Sequence, residues 1–122
     1  MKQVLIVEDQ RMSRNYMERI LSDSGRYELE ASISSAELAI IKCQQQHIDL
    51  ILMDVCTTGN KDGIDAAAEI KQQFQQVKII MVKSMVEIGY LERVKAASVD
   101  SFWYNDISPE LLMEIIDRIM KE

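Results

Sequence analysis

The chain has 122 residues, 48% of them hydrophobic and 28% charged, enough for one domain with a real core. Its net charge of −6 and pI of about 4.8 argue against direct nucleic-acid binding, which draws much of its affinity from Lys and Arg on phosphates. No apolar run approaches the roughly 20 residues that span a bilayer, and the short run Val4-Leu5-Ile6-Val7 is no signal-peptide core, so a cytoplasmic protein is expected. Cys43 and Cys56 form no CxxC or Cys/His cluster, so reduced thiols are expected in place of a disulfide or zinc site. The lone histidine, His47, reads as structural.

In chain order, Val4-Leu5-Ile6-Val7 reads as a buried strand, and Met12, Tyr16, Ile20 and Leu21 then recur at helical spacing until Gly25. A weaker strand follows over Tyr27 to Ala31. Ser34-Ser35-Ala36-Glu37 has the form of a capping box opening a helix that carries Leu38, Ile41 and Cys43. Ile48 to Met53 is nearly all apolar, as in a parallel sheet covered on both faces, and Asp54 ends that strand.

The polar stretch from Thr57 to Gly63 leads to a helix holding Ile64, Ala67, Ala68, Ile70 and Phe74. Ile79-Ile80-Met81-Val82 is the next strand, and Ser84-Met85-Val86-Glu87 repeats the capping-box pattern. Val99 to Tyr104 reads as the last strand. Ser108-Pro109-Glu110 then supplies a cap, a proline at the first helical position and an early acid. Leu112, Ile115, Ile116 and Ile119 form the apolar stripe of the final helix. Strands alternating with helices imply βαβ units, a parallel α/β sheet with helices on both faces, and one domain over residues 1–122.

Ligands of an open parallel sheet bind beyond the carboxyl ends of its strands. Glu8 and Asp9 follow the first strand and Asp54 closes the third. Carboxylates converging there would repel one another unless a divalent cation lay between them, and a hard ion such as Mg²⁺ takes oxygen ligands while keeping several waters. No glycine-rich phosphate loop follows the first strand, where Glu8-Asp9-Gln10-Arg11 stands, and this argues against a flavin- or dinucleotide-binding α/β protein.

The residues Leu5 to Asp9, Asp49 to Val55, Asp62-Gly63, the Ser84 region and Ser101 to Tyr104 resemble the receiver domains of bacterial response regulators along nearly the whole chain. The Phe102-Trp103-Tyr104 stretch is similar to receivers attached to helix-turn-helix outputs, which implies a role in transcription regulation. The resemblance implies a flavodoxin-like (βα)5 three-layer sandwich with a five-stranded parallel sheet of order 2-1-3-4-5. It also implies a phosphorelay switch in a two-component system, in which a histidine kinase, a phosphotransfer protein or a small phosphodonor modifies Asp54. Mg²⁺ would be held by Asp9, Asp54 and the backbone carbonyl of Cys56, with Glu8 acting through water. The implied protein is not an enzyme beyond this self-directed transfer.

The sequence departs from the family pattern at several positions. Lys83 stands where the family has a Thr or Ser that bonds the phosphoryl group, with Ser84 next to it. Asn105 replaces the family's lysine, and Cys56-Thr57-Thr58-Gly59 replaces the usual Met-Pro. Two readings stay open. In one, Lys83 supplies the missing cation and Ser84, Thr57 or Thr58 the missing hydroxyl. In the other, Lys83 pairs with Asp54 or Asp9 and locks one state, leaving a phosphorylation-independent pseudo-receiver that acts as an interaction module. Phe102 aligns with the aromatic residue that follows the Thr or Ser on activation, a movement that a long lysine cannot copy.

Family members signal through the face made by the fourth helix, fifth strand and fifth helix. Tyr90, Trp103 and Tyr104 are interface candidates there, and a homodimer through this face is an expected form of partnership. Burial of Trp103 as core is the equal alternative. The eight methionines read as core filling.

Overall fold

A computed structural model describes residues 1–55, 62–83, 88–104 and 108–121, leaving aside the side chains of residues 83, 88–91 and 104. Five strands alternate with five helices: β1 (Lys2–Val7), α1 (Arg11–Ser24), β2 (Tyr27–Ile33), α2 (Ala36–Gln45), β3 (Leu50–Asp54), α3 (Gly63–Gln73), β4 (Lys78–Lys83), α4 (Ile88–Ala96), β5 (Ser101–Tyr104) and α5 (Pro109–Met120). The strands form one parallel sheet in the order β2-β1-β3-β4-β5, as expected.

Side-chain alternation divides the apolar residues between two cores. Leu5, Val7, Ile51, Met53, Ile79 and Met81 face α2, α3 and α4, where Ala39, Ile64, Ile70 and Val94 meet them. Val4, Ile6, Leu50, Leu52, Ile80 and Val82 face α1 and α5, packing on Met17, Leu21, Leu112 and Ile116. β1 and β3 are apolar on both faces because helices cover both. A helix–sheet–helix sandwich results.

The helix ends follow local chemistry. Gly25 closes α1 in the left-handed conformation at φ 67°, where a side chain would be strained. At the start of α5 the Ser108 hydroxyl accepts the Leu111 N–H at 3.1 Å, with Pro109 in the first turn. Ser35, one residue beyond the expected Ser34, occupies the cap position of α2, and its side chain makes no capping bond. The capping pattern at Ser84 to Glu87 lies outside the described residues.

Two apolar stripes differ from expectation. In α1 the buried residues are Met17, Ile20 and Leu21, whereas Met12 is 85% exposed and Tyr16 half-exposed. In α2, Ala36, Ala39, Ile40 and Cys43 face the core, while Leu38 and Ile41 point outward. Both helices carry apolar residues on more than one face, so spacing placed Ile20, Leu21 and Cys43 correctly in the core but misplaced Met12, Leu38 and Ile41. The strands also extend beyond the apolar runs, with β1 starting at Lys2 and β2 running to Ile33, because backbone pairing continues through polar residues. Conversely β3 begins at Leu50 and β5 at Ser101.

The β1–β2 pairing is interrupted by a bulge. Val4 is opposite Leu29 and Leu5 is opposite Ala31, so Glu30 is the extra residue on β2.

Candidate phosphoacceptor site

The parallel register fixes the site. Val7 lies opposite Met53, so the next residues along, Glu8 and Asp54, leave adjacent strands side by side. Glu8 is held in place at its backbone, where its N–H donates to the Ile33 carbonyl at 2.9 Å. The Arg14 guanidinium donates to the Glu8 carbonyl at 3.4 Å, and the Gln10 N–H to its carboxylate at 3.3 Å. Beyond Asp54, the Val55 N–H donates to Val82 on β4 at 3.1 Å, which fixes the end of β3 against its other neighbour.

Carboxylate oxygens of Glu8, Asp9 and Asp54 all lie within 4.8 Å of one another. Asp9 is exposed, Asp54 half-buried and Glu8 buried, at 3% exposure. Burial, then the charge of Asp54 and a hydrogen bond between the two carboxyl groups, push Glu8 from 4.5 up to about 8. The protonated form of Glu8, which can donate to Asp54, is thereby favoured. The donor set is all hard oxygen and converges from two strand ends, so it fits a divalent cation such as Mg²⁺.

The far wall of the site is the start of α3. The Gly63 N–H donates to the Val55 carbonyl at 2.9 Å. A Cβ added at Gly63 would lie 1.9 Å from the Asp54 carbonyl oxygen. Only glycine permits this approach. Asp62 caps the helix, one carboxylate oxygen accepting the Asp65 N–H at 2.9 Å. The other accepts from Arg93 on α4 at 2.7 Å, and the same guanidinium nitrogen reaches Asp65 at 3.2 Å.

The expected site residues are distributed unevenly. Glu8, Asp9 and Asp54 are brought together. Lys83 ends β4 opposite Tyr104 in β5, which sets its backbone at the same sheet edge. Phe102 is partly buried against the core beneath α2, α3 and α4. Trp103 is 1% exposed, stacks on Tyr16 at 6.4 Å between ring centroids, and donates to the Ser108 carbonyl at 3.3 Å. It is a core residue and offers no exposed interface surface. Cys56, Thr57, Thr58, Ser84 and Asn105, with the side chains of Lys83, Tyr90 and Tyr104, lie outside the described residues.

Gly63 and Arg93 were not singled out as site residues by sequence reasoning. The Asp62-Gly63 pair did mark the place, but nothing in the sequence couples Arg93 to it. The His47 imidazole donates to the Asp49 carboxylate at 2.8 Å at the opposite end of the sheet. Burial pushes the Cys43 thiol up to about 11, consistent with an unreactive core cysteine.

Residues 4–117 match the family model described as the response regulator receiver domain. The chain belongs to that family. VraR, a response regulator protein of Staphylococcus aureus strain NCTC 8325, is 32% identical over 118 residues, covering 97% of this chain and 54% of VraR. This receiver thus spans about half the length of the curated relatives it matches. A solved LuxR-family DNA-binding response regulator, also from Staphylococcus aureus, is 25% identical with a TM-score of 0.92, covering 99% of this chain and 100% of that one. The isolated receiver of RcsB from Salmonella enterica serovar Typhimurium, solved with the phosphomimetic BeF₃⁻, is 17% identical with a TM-score of 0.89, over 98% of this chain and 88% of that one, a likeness of fold. Among the described residues, no helix is long and apolar enough to cross a membrane.

Proposed function

We propose that this receiver domain is a Mg²⁺-dependent phosphoacceptor switch in which Asp54 takes a phosphoryl group from a histidine kinase or phosphotransfer protein. The observation that carries this reading is the convergence of Glu8, Asp9 and Asp54 within 4.8 Å at the carboxyl end of the sheet.

In the reaction an Asp54 carboxylate oxygen forms a bond to phosphorus as the donor's bond to phosphorus breaks, and the departing imidazole or acid takes up a proton. Water later cleaves the acyl phosphate, restoring Asp54 and releasing phosphate. The cation would be held by Asp9 and Asp54, with the Cys56 carbonyl and a water-mediated Glu8, and would neutralise charge on the phosphoryl oxygens. The protein's own work is positional. β3 presents Asp54 at its end, β1 presents the acids beside it, and Gly63 lets α3 close against the Asp54 backbone.

Lys83, Ser84 and Asn105 are the proposed phosphoryl-contact positions, and Phe102 the proposed follower of the switch. The chemistry is directed at the protein itself, so the domain acts as a signalling element and turns over no separate metabolite. Its output, on the pattern of the LuxR-family regulator, would be control of transcription by a partner or attached module, with no direct nucleic-acid contact from this acidic domain. A cytoplasmic site of action follows from that role. Receiver chemistry is proposed for the whole of residues 1–122.

Intact-mass measurement after incubation with a small phosphodonor and Mg²⁺ tests this. An adduct on the wild type and none on Asp54→Asn is expected. No adduct on the wild type, alongside a labelled control receiver, would refute it. Lys83 and Asn105 favour a second reading, the phosphorylation-independent interaction module. That reading requires Asp54→Asn to leave partner binding or self-association through the α4–β5–α5 face unchanged.

A further inference from the structure

Asp62 has both carboxylate oxygens committed. Oδ1 accepts the Asp65 N–H at 2.9 Å and so caps α3. Oδ2 accepts from the Arg93 guanidinium at 2.7 Å. The same Arg93 nitrogen donates to Asp65 at 3.2 Å. Arg93 therefore grips the first turn of α3 from a neighbouring helix, one guanidinium nitrogen bridging two carboxylates through charge-assisted bonds.

The turn it grips is the one seated on the phosphoacceptor. Gly63, next to Asp62, donates to the Val55 carbonyl at 2.9 Å. Its Cα is so close to the Asp54 backbone that a Cβ would lie 1.9 Å from the Asp54 carbonyl oxygen. A displacement of Asp54 or Val55 is thereby transmitted to Gly63 and Asp62 with no slack in packing, and from Asp62 to α4 through one charge-assisted bridge. α4 is reached from β3 without passing through β4.

We propose that Arg93 is a positioning residue that couples α4 to the Asp54 site through the Asp62–Arg93–Asp65 bridge. For the response to modification, the proposal rests on Asp54 being the phosphoacceptor. The bridge itself does not depend on that reading.

Hydrogen exchange of the full chain, followed by mass spectrometry, tests both parts. In unmodified protein, Arg93→Gln is expected to speed exchange about three- to fivefold in α4 and at Gly63, Asp65 and Ala66, leaving β1 and α5 at wild-type rates. Arg93→Lys should recover part of the protection. Asp65→Asn, which spares the Asp62 cap, should give a smaller effect in the same places. Wild-type rates at the start of α3 in Arg93→Gln would overturn the bridge.

With phosphodonor and Mg²⁺, intact mass reports the adduct while exchange reports α4. The expected result is an adduct on both proteins, with the change in α4 exchange reduced by half or more in Arg93→Gln. An equal change in both would overturn the coupling. No adduct on the wild type would refute the phosphoacceptor reading instead, and the unmodified-protein comparison would still decide the bridge.

Discussion

Gly63 and Asp54 approach each other so closely that a Cβ on the glycine would lie 1.9 Å from the aspartate's carbonyl oxygen and 2.9 Å from its carbonyl carbon. Both obstacles are backbone and cannot rotate away. Gly63→Ala is therefore expected to push α3 off the end of β3, with a loss of roughly 1–3 kcal/mol for overpacking. Urea denaturation would register the loss. Mg²⁺ titration by calorimetry should show weakened binding as well, because the Asp54 backbone is what moves.

Glu8 gives the fold a pH dependence of definite sign. Its carboxyl is pushed from the ordinary 4.5 up to about 8 in the folded protein, by burial first and by Asp54 second. Between those values the folded chain holds a proton that the unfolded chain has released, so stability is greatest toward pH 4.5 and is lost as pH rises through 8. Urea midpoints in EDTA should fall across that window. Glu8→Gln should flatten the slope and raise stability at pH 8. Mg²⁺ competes with the Glu8 proton, so its affinity should rise with pH over the same range in the wild type and less so in Glu8→Gln.

Asp49 works in the other direction, at the far end of the sheet. Burial pushes its carboxyl up, but this is outweighed by the Gln3 N–H at 2.7 Å and by His47, so its net shift is downward. Its contribution is present above the ordinary aspartate range and is lost as pH falls through the lowered value. Asp49→Asn should reduce the steepness of acid unfolding below about pH 4, measured by circular dichroism.

Trp103 links β5 to α5 and α1. It is 1% exposed, stacks on Tyr16 and donates to Ser108. Trp103→Ala should cost about 3–5 kcal/mol, as for large buried aromatic residues. Tyr16→Ala, at a half-exposed position, should cost about 1 kcal/mol. Similar losses in the two variants would count against the packing described.

Ile40 and Ile41 separate pattern from packing within α2. Ile40 is 8% exposed and Ile41 44%. Ile40→Ala should cost about 2–5 kcal/mol and Ile41→Ala well under half as much. The measurement is a pair of urea curves.

The α/β alternation was legible because continuous apolar runs and capped amphipathic stretches succeed one another along the chain. Ser108-Pro109-Glu110 and Gly25 marked helix ends by local chemistry alone, and both occupy those positions. Glu8, Asp9 and Asp54 were legible as a group because a parallel sheet gathers its strand ends at one edge. The faces of α1 and α2 were legible only in part, through Ile20, Leu21 and Cys43. Met12, Leu38 and Ile41 satisfy helical spacing as well as the residues that were buried, and only the three-dimensional course of the sheet selects between them. Arg93 was equally hidden, since its partners Asp62 and Asp65 belong to another helix and no local pattern joins them. Trp103 had an even chance of lying in the core or on a surface, which the position of α5 over β5 decides.

The bulge at Glu30 bears on how the domain lives among other proteins. β2 borders the sheet, and an uninterrupted border strand is a template on which foreign strands assemble. Here Glu28 and Glu30 are exposed on that strand, and the extra residue breaks the even ladder midway along it. An incoming chain would meet negative charge and a mismatched row of amides. The β2 edge of the sheet is thus guarded against strand addition by its charge and its irregularity.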